Sequence, residues 1–129
     1  MNDPLNTSLN YQFDHAAQVV PSIADAIAWY RDNLPGAGVR VLYEDATWGL
    51  ITVGGARLAF VTKDEHPNHL AWSVSPEELE VLAARHGKQI KPHRDGTRSF
   101  YLDAPGGNAV EVIAIAGSKY EALIGTAKA

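Results

Sequence analysis

Cysteine is absent from the 129-residue chain, which removes disulfides and thiolate metal sites and leaves the redox compartment unmarked. Basic runs are absent too. Eleven Lys and Arg stand against fifteen Asp and Glu, a formal charge of -4, so a nucleic-acid partner is not expected. No apolar run approaches the length that spans a bilayer, so no membrane partner is expected either. The first twelve residues, MNDPLNTSLNYQ, lack the positive and apolar segments of a secretory leader, and the expected location is cytoplasmic. What remains is 46% hydrophobic and 20% charged, the balance of a soluble domain. The length suffices for one domain with a real core.

Secondary-structure signals follow in order. Residues 1–12 are polar and Asn-rich and read as a flexible tail. FDHAAQVV, from Phe13, reads as a strand. Pro21 and Ser22 then open a helix through IADAIAWYRDNL, with Pro in its first turn and Ser as cap. Ile23, Ala26, Ile27 and Tyr30 fall at helical spacing. Pro35, Gly36 and Gly38 end that helix, and VRVLYED, TWGLITV and ARLAFVT follow as three strands. After the polar KDEHPN the order starts again. NHLAWSV is a strand, Ser75-Pro76-Glu77-Glu78 starts a helix, and Gly87 stops it. Gln89 to His93 suits a short edge strand limited by Pro92. Arg98 to Leu102 and Asn108 to Ile115 are strands around DAPGG, and Ser118 to Lys128 reads as an outer C-terminal helix.

The order strand, helix, three strands therefore occurs twice, and residue matches support a duplication. HAAQVVPS lies over HLAWSVSP at an offset of 54, and GGARLAFV over GGNAVEVI at an offset of 52. The equivalent positions of the two units hold His15, Ala59, His69 and Glu111. Period-2 alternation puts Glu111 mid-strand between Ala109 and Ile113, with Val110, Val112 and Ala114 on the other face. A carboxylate so placed needs a cation, a metal or solvent. His15 and His69 stand in strands with small residues, Ala17, Ala71 and Ser73, two or four positions along the same faces, a pattern that leaves room for a cavity. A lone strand histidine is usually structural; it is the joint pattern that makes these three candidate site residues.

In FDHAAQVVPSIADAIAWYRDNL, HLAWSV and DAPGGNAVEVIA, the chain resembles the vicinal oxygen chelate superfamily, which holds glyoxalase I, extradiol dioxygenases, fosfomycin-resistance proteins, methylmalonyl-CoA epimerase and bleomycin-binding proteins. The resemblance covers about Phe13 to Ala116. It implies an α+β fold in which paired βαβββ modules, about residues 13–62 and 68–116, form a cup-shaped barrel in a single domain over 13–116, followed by the helix of 117–129. It implies a homodimer, with the metal site in some relatives shared between chains. It also implies that His15, His69 and Glu111 are metal ligands, a set that suits Fe(II), Mn(II), Ni(II) or Zn(II). The implied partner is a small-molecule substrate whose neighbouring oxygens chelate the ion, with the metal as Lewis acid or, for Fe(II), in dioxygen chemistry on a catecholate.

Departures from the family pattern narrow the chemistry. Ala59 stands where glyoxalase I and the epimerases carry a further polar ligand that serves proton transfer. Ala17 stands where fosfomycin-resistance proteins carry Thr, and Lys119 alone replaces their basic set. Dioxygenase-like or lyase-like chemistry is the expectation that remains. The alternative is a binding protein of the bleomycin-resistance kind that holds a small molecule without a metal. Most extradiol enzymes have a longer chain and carry a further, catalytic histidine nearby, a role open to His66, His93 or Tyr101. His66 precedes its strand and is expected in solvent, and His86 and His93 in surface turns. Arg57, Lys91 and Arg98 either meet an anionic substrate or are surface charges; Trp48 and Tyr101 either line the cup or pack.

Overall fold

The computed structural model describes residues 9–62 and 66–126. Eight strands and three α-helices appear among them in the order βαβββ, βαβββ, α, an α+β fold. The described chain divides into two compact units, residues 15–70 with 123–126, and residues 9–14 with 71–122.

In the first unit the elements are β1 (Gln12–Val19), whose part from His15 onward belongs here, α1 (Ile23–Asn33), β2 (Arg40–Glu44), β3 (Trp48–Val53) and β4 (Ala56–Val61). The strands lie in the order β2-β3-β4-β1. The β2–β3 and β3–β4 pairs are antiparallel, and β1 runs parallel to β4, with Ala17 opposite Ala59. Parallel neighbours need a long return connection, and α1 begins it. Ser22 caps α1 by accepting from the Asp25 N–H at 3.2 Å. Pro21 stands just ahead of the cap rather than in the first turn, since the cap falls on Ser22 itself. Ile23 and Ile27 of α1 bury against Ile51 and Phe60 of the sheet. Gly49 permits this approach: a Cβ there would lie 2.6 Å from Ile23 Cγ2.

In the second unit the elements are β5 (His69–Ser73), whose part from Ala71 belongs here, α2 (Pro76–His86), β6 (Lys91–Pro92), β7 (Arg98–Ala104), β8 (Asn108–Ala114) and α3 (Lys119–Thr126), which continues past residue 122. Strand order is β5-β8-β7-β6. The edge strand expected over Gln89 to His93 is only two residues long, because Pro92 offers no N–H to prolong the ladder. Ser75 accepts from the Glu78 N–H and Glu78 returns a bond from the Ser75 N–H at 2.9 Å, a complete capping box. At its other end α2 stops on Gly87, whose φ of 62° is left-handed. Leu79, Leu82 and Ala83 of α2 pack on Phe100, Val112 and Ala114. A 3-10 turn over Pro105–Gly107 joins β7 to β8.

The duplication is visible in single bonds. In the first unit the Val20 N–H donates to the Val61 carbonyl at 2.9 Å, and in the second the Val74 N–H donates to the Ile113 carbonyl at 2.9 Å. Those pairs are the residues that the two sequence offsets superpose. Of the expected N-terminal tail, residues 1–8 lie outside the described residues; Leu9 packs on the α2 core and the Asn10 N–H donates to Glu78 Oε2 at 3.2 Å. Of the closing helix, residues 127–129 lie outside the described residues. Inside the second unit, the Tyr120 hydroxyl of α3 donates to the buried Asp14 carboxylate of β1.

Two predictions follow from these contacts. Gly49→Ala forces a methyl onto Ile23 and should cost about 1–3 kcal/mol in urea unfolding, and Ile23→Val should recover part of that loss in the double variant; an unchanged midpoint for Gly49→Ala would refute the close packing. The backbone N–H of Ser75 is the main cause holding the Glu78 carboxyl below its ordinary 4.5; partial burial opposes, and the N–H of Asn10 and the Ser75 hydroxyl add to it. A lowered folded value means stability that is present above about pH 4.5 and is lost as pH falls through the folded value. Native protein should therefore lead Glu78→Gln in melting temperature at pH 7 and converge with it at low pH.

Candidate metal centre

His15 and His69 are both 7% exposed, and their rings meet edge-to-face with centroids 5.5 Å apart. Local bonds place the second ring. Asn68 Oδ1 accepts from the Val19 N–H at 2.6 Å and fixes the start of β5 beside the end of β1. His69 Nδ1 then lies 2.6 Å from the Pro67 carbonyl. A carbonyl only accepts, so Nδ1 carries the proton and Nε2 carries the lone pair. That is the arrangement by which proteins orient a ligating imidazole. Ala59, which the repeat places on Glu111, is buried at this point of the first unit and offers no polar atom.

Glu111 is 4% exposed in the middle of β8. Its support comes from the neighbouring strand. Ser99 and Tyr101 stand two apart on β7, and the register sets Tyr101 directly opposite Glu111. The Ser99 hydroxyl donates to Glu111 Oε2 at 2.7 Å, and the Tyr101 hydroxyl also hydrogen-bonds the carboxylate. Burial, then the Glu111 charge, then this hydrogen bond push the Tyr101 phenol well above its ordinary value of 10. His93 Nε2 lies 2.7 Å from Ser99 Oγ and 3.7 Å from Glu111 Oε2.

The histidine expected in a surface turn is thus half-buried. His93 leaves β6 at the start of the tight turn to Thr97, whose carbonyl accepts the His93 N–H at 2.8 Å, and this turn brings the ring to Ser99. His66 is likewise half-buried rather than solvated, its ring 6.3 Å from that of His69. His86 is exposed as expected, with its ring 6.1 Å from Phe100. Arg98 pairs with Glu80 at 3.2 Å between exposed side chains, so it is a surface charge of small energetic weight. Lys91 is exposed on β6. Trp48 packs on Tyr43 at 4.6 Å between centroids, and Arg57 is half-buried on β4. Ser99 is the site residue that sequence reasoning missed. Its signal was the Ser-Phe-Tyr alternation of β7, which aims two hydroxyls at the strand that bears Glu111.

No family model matches the chain, and no curated protein matches it. Solved structures do. A variant of homoprotocatechuate 2,3-dioxygenase from Brevibacterium fuscum superposes with a TM-score of 0.59 at 18% identity over 86% of this chain, which spans 34% of the dioxygenase. A glyoxalase/bleomycin resistance protein/dioxygenase superfamily member from Vibrio splendidus 12B01 gives 0.56 at 13% identity, covering 83% of this chain and 98% of that one. A protein described as an NAD-dependent benzaldehyde dehydrogenase from Legionella pneumophila gives 0.58 at 14%, covering 78% and 96%. The fold is therefore that of the vicinal oxygen chelate proteins, as the resemblance implied.

The raised phenol gives a prediction. A Tyr101 value above the unfolded value of 10 stabilises the fold below about pH 10, and that contribution is lost as pH rises further. In an ultraviolet titration of the native chain, Tyr101→Phe should leave the number of tyrosines ionising near pH 10 unchanged. A fall by one would refute the assignment.

Proposed function

We propose that the chain is a metal-dependent enzyme of the vicinal oxygen chelate type, in which His15, His69 and Glu111 hold one divalent ion and a small oxygen-chelating molecule is the substrate. The observation that carries this reading is the buried His15–His69 pair with the His69 proton committed to Pro67, which leaves Nε2 as the ligating nitrogen. Glu111 supplies the carboxylate; each of the three is buried and offers one ligand atom. Two imidazoles and a carboxylate, with no thiolate in the chain, fit Fe(II), Mn(II), Ni(II) or Zn(II). Such an ion, when bound, supplies Lewis-acid stabilisation of oxyanion charge and, if it is iron, redox chemistry with dioxygen.

The protein's own groups favour the dioxygenase-like reading over the lyase-like one. Tyr101 keeps its phenolic proton at neutral pH and gives it to Glu111, so the phenol holds the carboxylate from the β7 side. His93, two bonds from Glu111 through Ser99, supplies an imidazole beside it. Ala59 cannot move a proton, which disfavours isomerisation between adjacent carbons. The likeness in fold to a catechol-cleaving enzyme is consistent with this reading, by analogy. A cytoplasmic homodimer without nucleic-acid or membrane partners belongs to the same proposal; among the described residues no helix is long and apolar enough to cross a membrane.

Metal content by elemental analysis, after anaerobic purification and exchange with each ion, is the test. About one tightly held ion per chain is expected, lost in His15→Ala, His69→Ala and Glu111→Ala while the chain stays folded. Unchanged metal content in Glu111→Ala would overturn the assignment. Absence of any specific metal would favour the metal-free binding protein instead. Oxygen consumption restored by iron alone would support the dioxygenase-like reading, and activity restored by several ions the lyase-like one.

A further inference from the structure

Ser99 is 1% exposed and sits between two groups of opposite hydrogen-bonding need. A carboxylate offers only acceptors, so the 2.7 Å contact with Glu111 Oε2 consumes the single proton of the Ser99 hydroxyl. Ser99 Oγ can then only accept from His93, and the 2.7 Å contact there requires the proton of His93 to sit on Nε2. The bonds therefore run in one direction, from His93 Nε2–H to Ser99 and from Ser99 to Glu111. The direct gap of 3.7 Å between His93 Nε2 and Glu111 Oε2 is too long for a hydrogen bond, so the hydrogen-bonded link between the two groups runs through Ser99.

We infer that Ser99 is a positioning residue whose hydroxyl fixes the His93 tautomer and holds the Glu111 carboxylate in one orientation. In the neutral ring that tautomer places the His93 lone pair on Nδ1. The orientation of Glu111 matters for metal affinity only if the proposed metal reading holds, and that part of the inference rests on it. A hydroxyl buried between two functional groups is also well placed to stiffen them, since its own rotation is fixed by both contacts.

The experiment uses the full chain without metal first. In imidazole-nitrogen NMR the native protein should show a slowly exchanging, downfield Nε2–H of His93, absent in His93→Gln. Ser99→Ala should remove or broaden that signal, and Ser99→Thr, which keeps the hydroxyl, should retain it. The Nδ1–H of His69 held by Pro67 is the internal control and should persist in every variant, which separates loss of the contact from loss of the fold. Cobalt(II) titration then reads the carboxylate. Affinity should fall about 10–100-fold in Ser99→Ala, the usual effect of losing a partner of a metal ligand, and recover in Ser99→Thr. A His93 proton found on Nδ1, or a Ser99→Ala protein with native signal and native affinity, overturns the inference. Failure of the native chain to bind cobalt overturns the metal reading instead, and the imidazole signal alone then decides the role of Ser99.

Discussion

A carboxylate buried to 4% exposure in the middle of a strand is the constraint around which the second unit is arranged. Leaving such a group without donors would cost several kcal/mol, and the chain meets that cost within one sheet. The antiparallel register of β7 and β8 brings two hydroxyls to Glu111, and the turn after β6 adds an imidazole behind one of them. Register is the control here. A slip by one residue would turn Ser99 and Tyr101 to the opposite face and bring Arg98, Phe100 and Leu102 round in their place. The packing of Phe100, Val112 and Ala114 under α2 opposes that slip, so the apolar core and the polar cluster specify the same alignment from opposite faces.

The two halves use their equivalent strands differently. Each begins with a histidine strand, and each closes with the same valine-anchored bond. Yet the first half ends its pattern on Ala59 and the second on Glu111. At this point β4 of the first half is apolar, with Ala59, Phe60 and Val61 all buried. The second has kept the hydroxyls that a buried charge requires. Duplication supplied two equal frames, and the polar equipment is concentrated in one of them.

Much of this was legible in the sequence because it is periodic or local. The βαβββ order, the caps at Ser22 and Ser75, the stop at Gly87 and the equivalence of His15, His69 and Glu111 all follow from spacing within a strand or helix. The missed features depend on contacts between segments distant in the chain or on a turn's exact path. Ser99 acquires its role from β8, twelve positions on, and His93 from a turn whose geometry its own sequence leaves open. His66 was expected in solvent because it precedes its strand, and His93 in a surface turn, yet a residue beside a strand end can fold back over it. Pro92 correctly limited β6, but nothing local said that the next residue would turn inward.

The bond from Tyr120 to Asp14 spans 106 positions, nearly the length of the described chain. Asp14 is the residue immediately before His15. Loop-closure entropy grows with separation, so this bond closes a longer loop than a local cap does. During synthesis this bond to Asp14 forms only once α3 has emerged, whereas the pairing of β1 with β4 does not wait for it. A lesion at Tyr120 in α3 would thus reach β1 at Asp14, far away in sequence.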